Sequence, residues 1–165
     1  MMMKNKPMWL FLLCCAVPLL LAYTVLSLNW LPQSATNSGK FVEGEITISD
    51  WQQSPDVLWT IALNAPANCQ NPCERQLNDL VNIHTALGKN QLRVNLAVFG
   101  REFKSGNAVS YPNQQNLEPG NLYLIDHRGL VVLEYPPSLD VQENRMRHKG
   151  MLKDLKKLLN YARSS

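Results

Sequence analysis

Hydrophobic and polar positions divide the chain into one long apolar block and a series of short periodic segments. Residues 8–31 contain no charged side chain and are dominated by Leu, Val, Ala, Phe and Trp. As a helix, these 24 residues would extend roughly 36 Å, enough to span a hydrocarbon core of about 30 Å. Trp9, Tyr23 and Trp30 sit near the two ends, where amphipathic rings favour the membrane interface. Pro18 is compatible with a membrane helix as a kink. The run exceeds the apolar region of a cleaved signal peptide and is followed by no clear small-x-small site, so the pattern predicts an uncleaved anchor. Cys14 and Cys15 lie within it as apolar residues.

A polar, turn-rich tether follows from Pro32 to Lys40. Alternation over residues 45–49 predicts a leading edge strand. The nearly continuous apolar run 57–63 predicts a strand covered on both faces. Asn71, Pro72 and Glu74 form a helix-start signature, as N-cap, first helical residue and capping-box partner. Leu77, Leu80, Val81, His84 and Leu87 continue at helical spacing until Gly88. Residues 92–99 read as the next strand. Residues 100–121 are polar and aperiodic and read as a long loop. Residues 122–126 and 130–135 form a hairpin with Gly129 in its turn. A stripe of Met151, Leu152, Leu155, Leu158, Leu159 and Ala162 predicts a closing helix.

This order predicts an α/β, thioredoxin-like domain: a βαβ unit, a long loop, a β-hairpin and a C-terminal helix, after one transmembrane helix. The expected organisation is a cytoplasmic N-terminus over residues 1–7, an anchor over 8–31, a linker over 32–44 and an exported domain over 45–165. About 125 residues beyond the tether suffice for one core and are too few for two.

The chemistry concentrates at Cys69 and Cys73, between the apolar strand and the helix start. Lys4 and Lys6 before the apolar block predict that the N-terminus stays inside and the rest is exported. In an oxidising compartment two nearby thiols form a disulfide unless they are reduced or hold metal. A helix N-terminus stabilises a thiolate, so the pair suits thiol exchange or a soft metal. A structural bridge is the competing reading, although so short a loop restrains the unfolded chain little.

The histidines fit plainer roles. His84 returns to the helix face of Cys73 only about 16 Å further along the axis, too far to share an ion. It reads as a surface or satisfied core imidazole, and His127 and His148 as solvated polar residues. Four-ligand zinc is excluded because only one cysteine pair is exported. The net charge is +3, but residues 145–165 alone carry seven Lys or Arg against one Asp. That basic surface suits anionic lipid or an acidic partner. An exported domain excludes nucleic acid.

Several features together carry a family resemblance. They are the N-terminal anchor, the Cys69-x3-Cys73 pair, Gly120-Asn-Leu-Tyr-Leu-Ile-Asp126, Tyr135-Pro-Pro137 and the tail from Gly150 to Leu159. In these the chain resembles the Sco-like proteins of the thioredoxin superfamily, and more closely the small membrane-anchored proteins associated with cytochrome c oxidase assembly in proteobacteria. The resemblance implies a single-pass bacterial inner-membrane protein with a periplasmic C-terminal domain. It implies a cytochrome c oxidase subunit or another assembly factor as partner, and Cys69 and Cys73 as the redox pair or Cu(I) ligands. By analogy Cys69 attacks and Cys73 resolves. The pattern departs from copper-binding Sco proteins at Glu74, where proline is usual, at Glu118, where a histidine ligand is expected, and at His127, again in place of proline. An alternative is a non-catalytic assembly scaffold using the basic helix and the long loop. A general disulfide reductase would instead carry the C-x-x-C spacing.

Overall fold

The computed structural model describes residues 6–27, 37–52, 56–68, 71–104 and 108–161. They fall into two units, divided between Thr36 and Asn37.

The first unit contributes one helix, α1 (Lys6–Ser27), apolar all round and with Pro18 inside it. Its large side chains, including Trp9, Phe11, Leu19 and Tyr23, are exposed. Residues 28–31 of the expected anchor, and the side chains of Met8, Val25 and Leu26, lie outside the described residues. The helix is therefore described in full only over residues 9–24. Among the described residues no helix is long and apolar enough to cross a membrane.

The second unit is a six-stranded mixed sheet with two long helices. Its elements are β1 (Lys40–Phe41), β2 (Trp59–Asn64), α2 (Asn71–Thr85), a 3-10 turn (Gly88–Arg93), β3 (Val94–Phe99), β4 (Ala108–Tyr111), β5 (Leu122–Asp126), β6 (Val131–Tyr135) and α3 (Val141–Tyr161). The strand order is β1-β6-β5-β2-β3-β4. β2, β3 and β4 run parallel, β5 pairs antiparallel with β2, and β6 antiparallel with β5. The central β3-β2-β5-β6 order, with α2 crossing from β2 to β3 and α3 after the hairpin, is the thioredoxin-like arrangement the sequence predicts.

The apolar run of β2 is explained by burial on both faces. Ile61 and Leu63 pack with Leu77, Leu80 and Ile83 of α2 and with Met151, Leu155 and Leu159 of α3. Ala62, on the other face, packs with Phe99, Tyr123 and Ile125 under Ile48 and Leu117. That second face is covered by loops. Trp51 stacks on Tyr111 there, with ring centroids 5.1 Å apart.

The structure corrects four expectations. Residues 45–49 form no strand, only a single bridge between Thr47 and Leu130. The edge strand is instead β1, inside the expected linker 32–44. Residues 37–44 thus belong to the folded unit, where Ser38 and Gly39 donate their N–H groups to the buried Asp154 carboxylate at 2.6 and 3.0 Å. The long loop contains β4, which extends the parallel sheet from Leu96–Phe99. Finally, α3 begins at Val141, where Asp140 Oδ1 caps it by accepting the N–H groups of Gln142 and Glu143. In the hairpin, Gly129 takes a φ of +85°, as the turn requires.

Candidate functional site

Cys73 is the third residue of α2, fully buried and disulfide-bonded. Cys69 lies outside the described residues. The Sγ of Cys73 is 3.7 Å from the carbonyl oxygen of Asn64, the last residue of β2. A disulfide sulfur has no proton to donate, so this contact becomes a hydrogen bond only when Cys73 is a thiol.

Asn64 was not singled out by sequence reasoning, yet it organises this end of the sheet. Its carbonyl accepts the Gly120 N–H at 2.7 Å, and its N–H donates to Asn121 O. Its side-chain Nδ2 donates to the carbonyls of Leu117 and Gln114. One buried residue therefore ties the half-cystine to the loop that precedes β5. The available signal was a polar residue closing an otherwise apolar strand.

Arg101 is the second unforeseen residue. Its guanidinium donates to the carbonyls of Ala65 at 3.1 Å and Pro66 at 3.4 Å, and ion-pairs with Glu74 at 2.6 Å. Glu74, expected as a capping-box partner, thus links α2 to the chain leaving β2. Gly100 supports the same connection: its φ is +86°, and a Cβ there would lie 2.9 Å from Pro66 Cα.

The residues of the Gly120–Asp126 segment have structural duties. The Tyr123 hydroxyl accepts the Glu118 N–H at 2.8 Å, and burial pushes its ionisation up to about 12. Asp126 Oδ1 accepts the N–H groups of Arg128 and Leu130, holding the hairpin turn. Glu118 itself is exposed and lines a cleft of about 260 Å³ with Asn64, Pro66 and Asn68, the residue before Cys69.

No histidine joins Cys73. Asp126 pairs with Trp59, at the opposite end of β2 from Asn64, so His127 is about 17 Å away along the strand. His84 is a satisfied half-buried imidazole, its Nε2 2.8 Å from Val94 O and 3.3 Å from Gln91 O. His148 corrects the expectation of a solvated polar residue. Its side chain is only 13% exposed, with Nε2 3.0 Å from Gln76 Oε1 and Nδ1 3.9 Å from Asp79. Burial lowers its pKa, partly opposed by the Asp79 charge. Among the described residues no cluster of three or more His, Cys, Asp or Glu could hold a metal ion.

No family model matches the chain, and neither does any curated protein. Among solved structures the chain is similar to a SCO1/SenC family lipoprotein from Bacillus anthracis str. Ames, at 14% identity with a TM-score of 0.45. The match spans 78% of this chain and 99% of that one. Strand order and direction make the second unit thioredoxin-like.

Proposed function

We propose that this chain is a membrane-anchored thioredoxin-like factor that assists cytochrome c oxidase assembly through Cys69 and Cys73. The observation that carries the reading is the disulfide-bonded Cys73, buried in the first turn of the helix that leaves the central strand. In the exchange step the Cys69 thiolate attacks a sulfur of a partner disulfide and releases one partner thiolate. Cys73 then displaces the second partner thiolate from the mixed disulfide. Two electrons and two protons pass to the partner, and the disulfide left behind is reset by a dithiol reductant of the exported compartment. In the reduced state the same pair carries Cu(I), since two thiolates hold it without imidazole. The oxidase as destination rests on the sequence resemblance. Anchoring in a bacterial inner membrane with the domain in the periplasm rests on the uncharged run 8–31 preceded by Lys4 and Lys6.

The test is trapping in cells. Cys73→Ser should accumulate a mixed disulfide between Cys69 and an oxidase subunit or assembly factor, identified by mass spectrometry. A double Cys69→Ser, Cys73→Ser variant should lose oxidase assembly. Full assembly with both cysteines removed would replace this reading with a non-catalytic scaffold.

A further inference from the structure

We infer that the cleft between the start of α2 and the β6–α3 connection is a docking site for an acidic segment of a partner protein. The inference stands apart from the thiol chemistry. Two adjoining hollows of about 320 and 290 Å³ share Arg75, Ser138 and Asn144 in their walls. Pro137 and the 85% exposed Leu139 form an apolar wall of the first.

The charged groups around the cleft are unequal in how they are partnered. Every nearby carboxylate has a protein partner. Glu74 pairs with Arg101, Glu143 with Arg147 and Ser138, Asp79 with Asn144 and His148, and Asp140 caps α3. Arg75 on α2 and Arg145 on α3, both exposed and lining the second hollow, have no ion-pair or hydrogen-bond partner for their guanidinium groups among the described residues.

The floor points the same way. Gln76 is 1% exposed and lines the first hollow. Its Oε1 is engaged by His148, while its Nε2 has no hydrogen-bond partner among the described residues. That amide lines the hollow and is open to an incoming acceptor, which a carboxylate entering the cleft would supply. Two unpaired guanidinium groups across the opening would meet further carboxylates on the same segment. A flat anionic bilayer would not reach Gln76 inside a concave cleft, which favours a protein segment.

The probe is a rhodamine-labelled hexapeptide of alternating Glu and Gly, with its Gln counterpart as control. Binding to the full chain in uncharged detergent is read by fluorescence anisotropy at low ionic strength. The Glu peptide should bind and the Gln peptide should not. Arg75→Gln with Arg145→Gln should weaken binding by at least about tenfold. Gln76→Leu should weaken it too. Lys153→Gln with Lys156→Gln, exposed on α3 but outside the cleft walls, should leave binding within about twofold. Equal losses in the lysine and arginine pairs would reduce the effect to general charge attraction and overturn the proposal. So would equal binding of both peptides, or no binding at all. Displacement of the peptide by phosphatidylglycerol vesicles, dependent on both arginines, would replace it with a lipid-facing role.

Discussion

The Sγ of Cys73 and the carbonyl oxygen of Asn64 lie 3.7 Å apart, at the point where the central strand ends and the first turn of α2 packs against it. The same carbonyl accepts the Gly120 N–H, so the disulfide-bonded cysteine and the loop before β5 share one backbone oxygen.

Removing the Asn64 side chain should therefore loosen that loop. Asn64→Ala leaves the buried carbonyls of Leu117 and Gln114 without its amide donor. The expected loss is about 1–3 kcal/mol in urea denaturation. Faster amide exchange at Leu117, Gly120 and Asn121 should accompany it. Unchanged exchange there would show that Asn64 does not hold the loop.

Asp154 is the corresponding anchor at the other end of the domain's chain. Its Oδ2 accepts the N–H groups of Ser38 and Gly39 and the hydroxyl of Tyr135, the last at 2.9 Å. Burial and the Asp154 charge push the Tyr135 ionisation far above its ordinary value. Asp154→Ala orphans three donors and should cost about 3 kcal/mol or more, whereas Asp154→Asn retains one acceptor oxygen and should cost less. Limited proteolysis should cut near Ser38 in the alanine variant first.

His148 should make stability depend on pH. Its pKa is lowered in the folded protein, chiefly by burial, so the unfolded chain binds the proton more readily. Its contribution is fully present above about 6.5, the unfolded value, and is lost as pH falls from there through the folded pKa. His148→Gln should flatten that part of the stability profile measured by thermal melts. A slope of the opposite sign in the unaltered protein would mean that Asp79 outweighs burial.

The metal expectation can be checked at Glu118, which shares a cleft with Asn64 and with Asn68, the residue before Cys69 in sequence. The reduced protein should bind Cu(I) through thiolates alone and show little specific Cu(II) binding. Glu118→His should raise Cu(I) affinity about tenfold, or about 1.4 kcal/mol, in competition with a chelator. A tight Cu(II)–thiolate absorption band in the unaltered protein would mean that an imidazole reaches the thiols.

The topology has its own test. An enzyme reporter fused after Ser165 should be active only in a form that functions outside the cytoplasm, because Lys4 and Lys6 favour retention of the N-terminus. Activity of a cytoplasm-only reporter would overturn the exported placement.

What the sequence determined by itself was the part of the fold written in local periodicity. The apolar run of β2, the spacing of Leu77 and Leu80 on α2, and the β5–β6 hairpin around Gly129 were legible because burial on a strand or helix face imposes a short repeat. Cys73 at the strand-to-helix junction was legible for the same reason, as a residue type at a predictable boundary. The tertiary structure alone decided the rest. The strand β4 lies in polar sequence and is defined by backbone pairing to β3, which no side-chain repeat records. β1 pairs with β6, more than 90 residues further along the chain. Asp154 finds Ser38 across 116 residues, Arg101 finds Ala65 across 36, and His148 is buried against Gln76 across 72. A polar residue's partner, and hence whether it is a solvated side chain or a buried anchor, depends on which distant segments the sheet brings together.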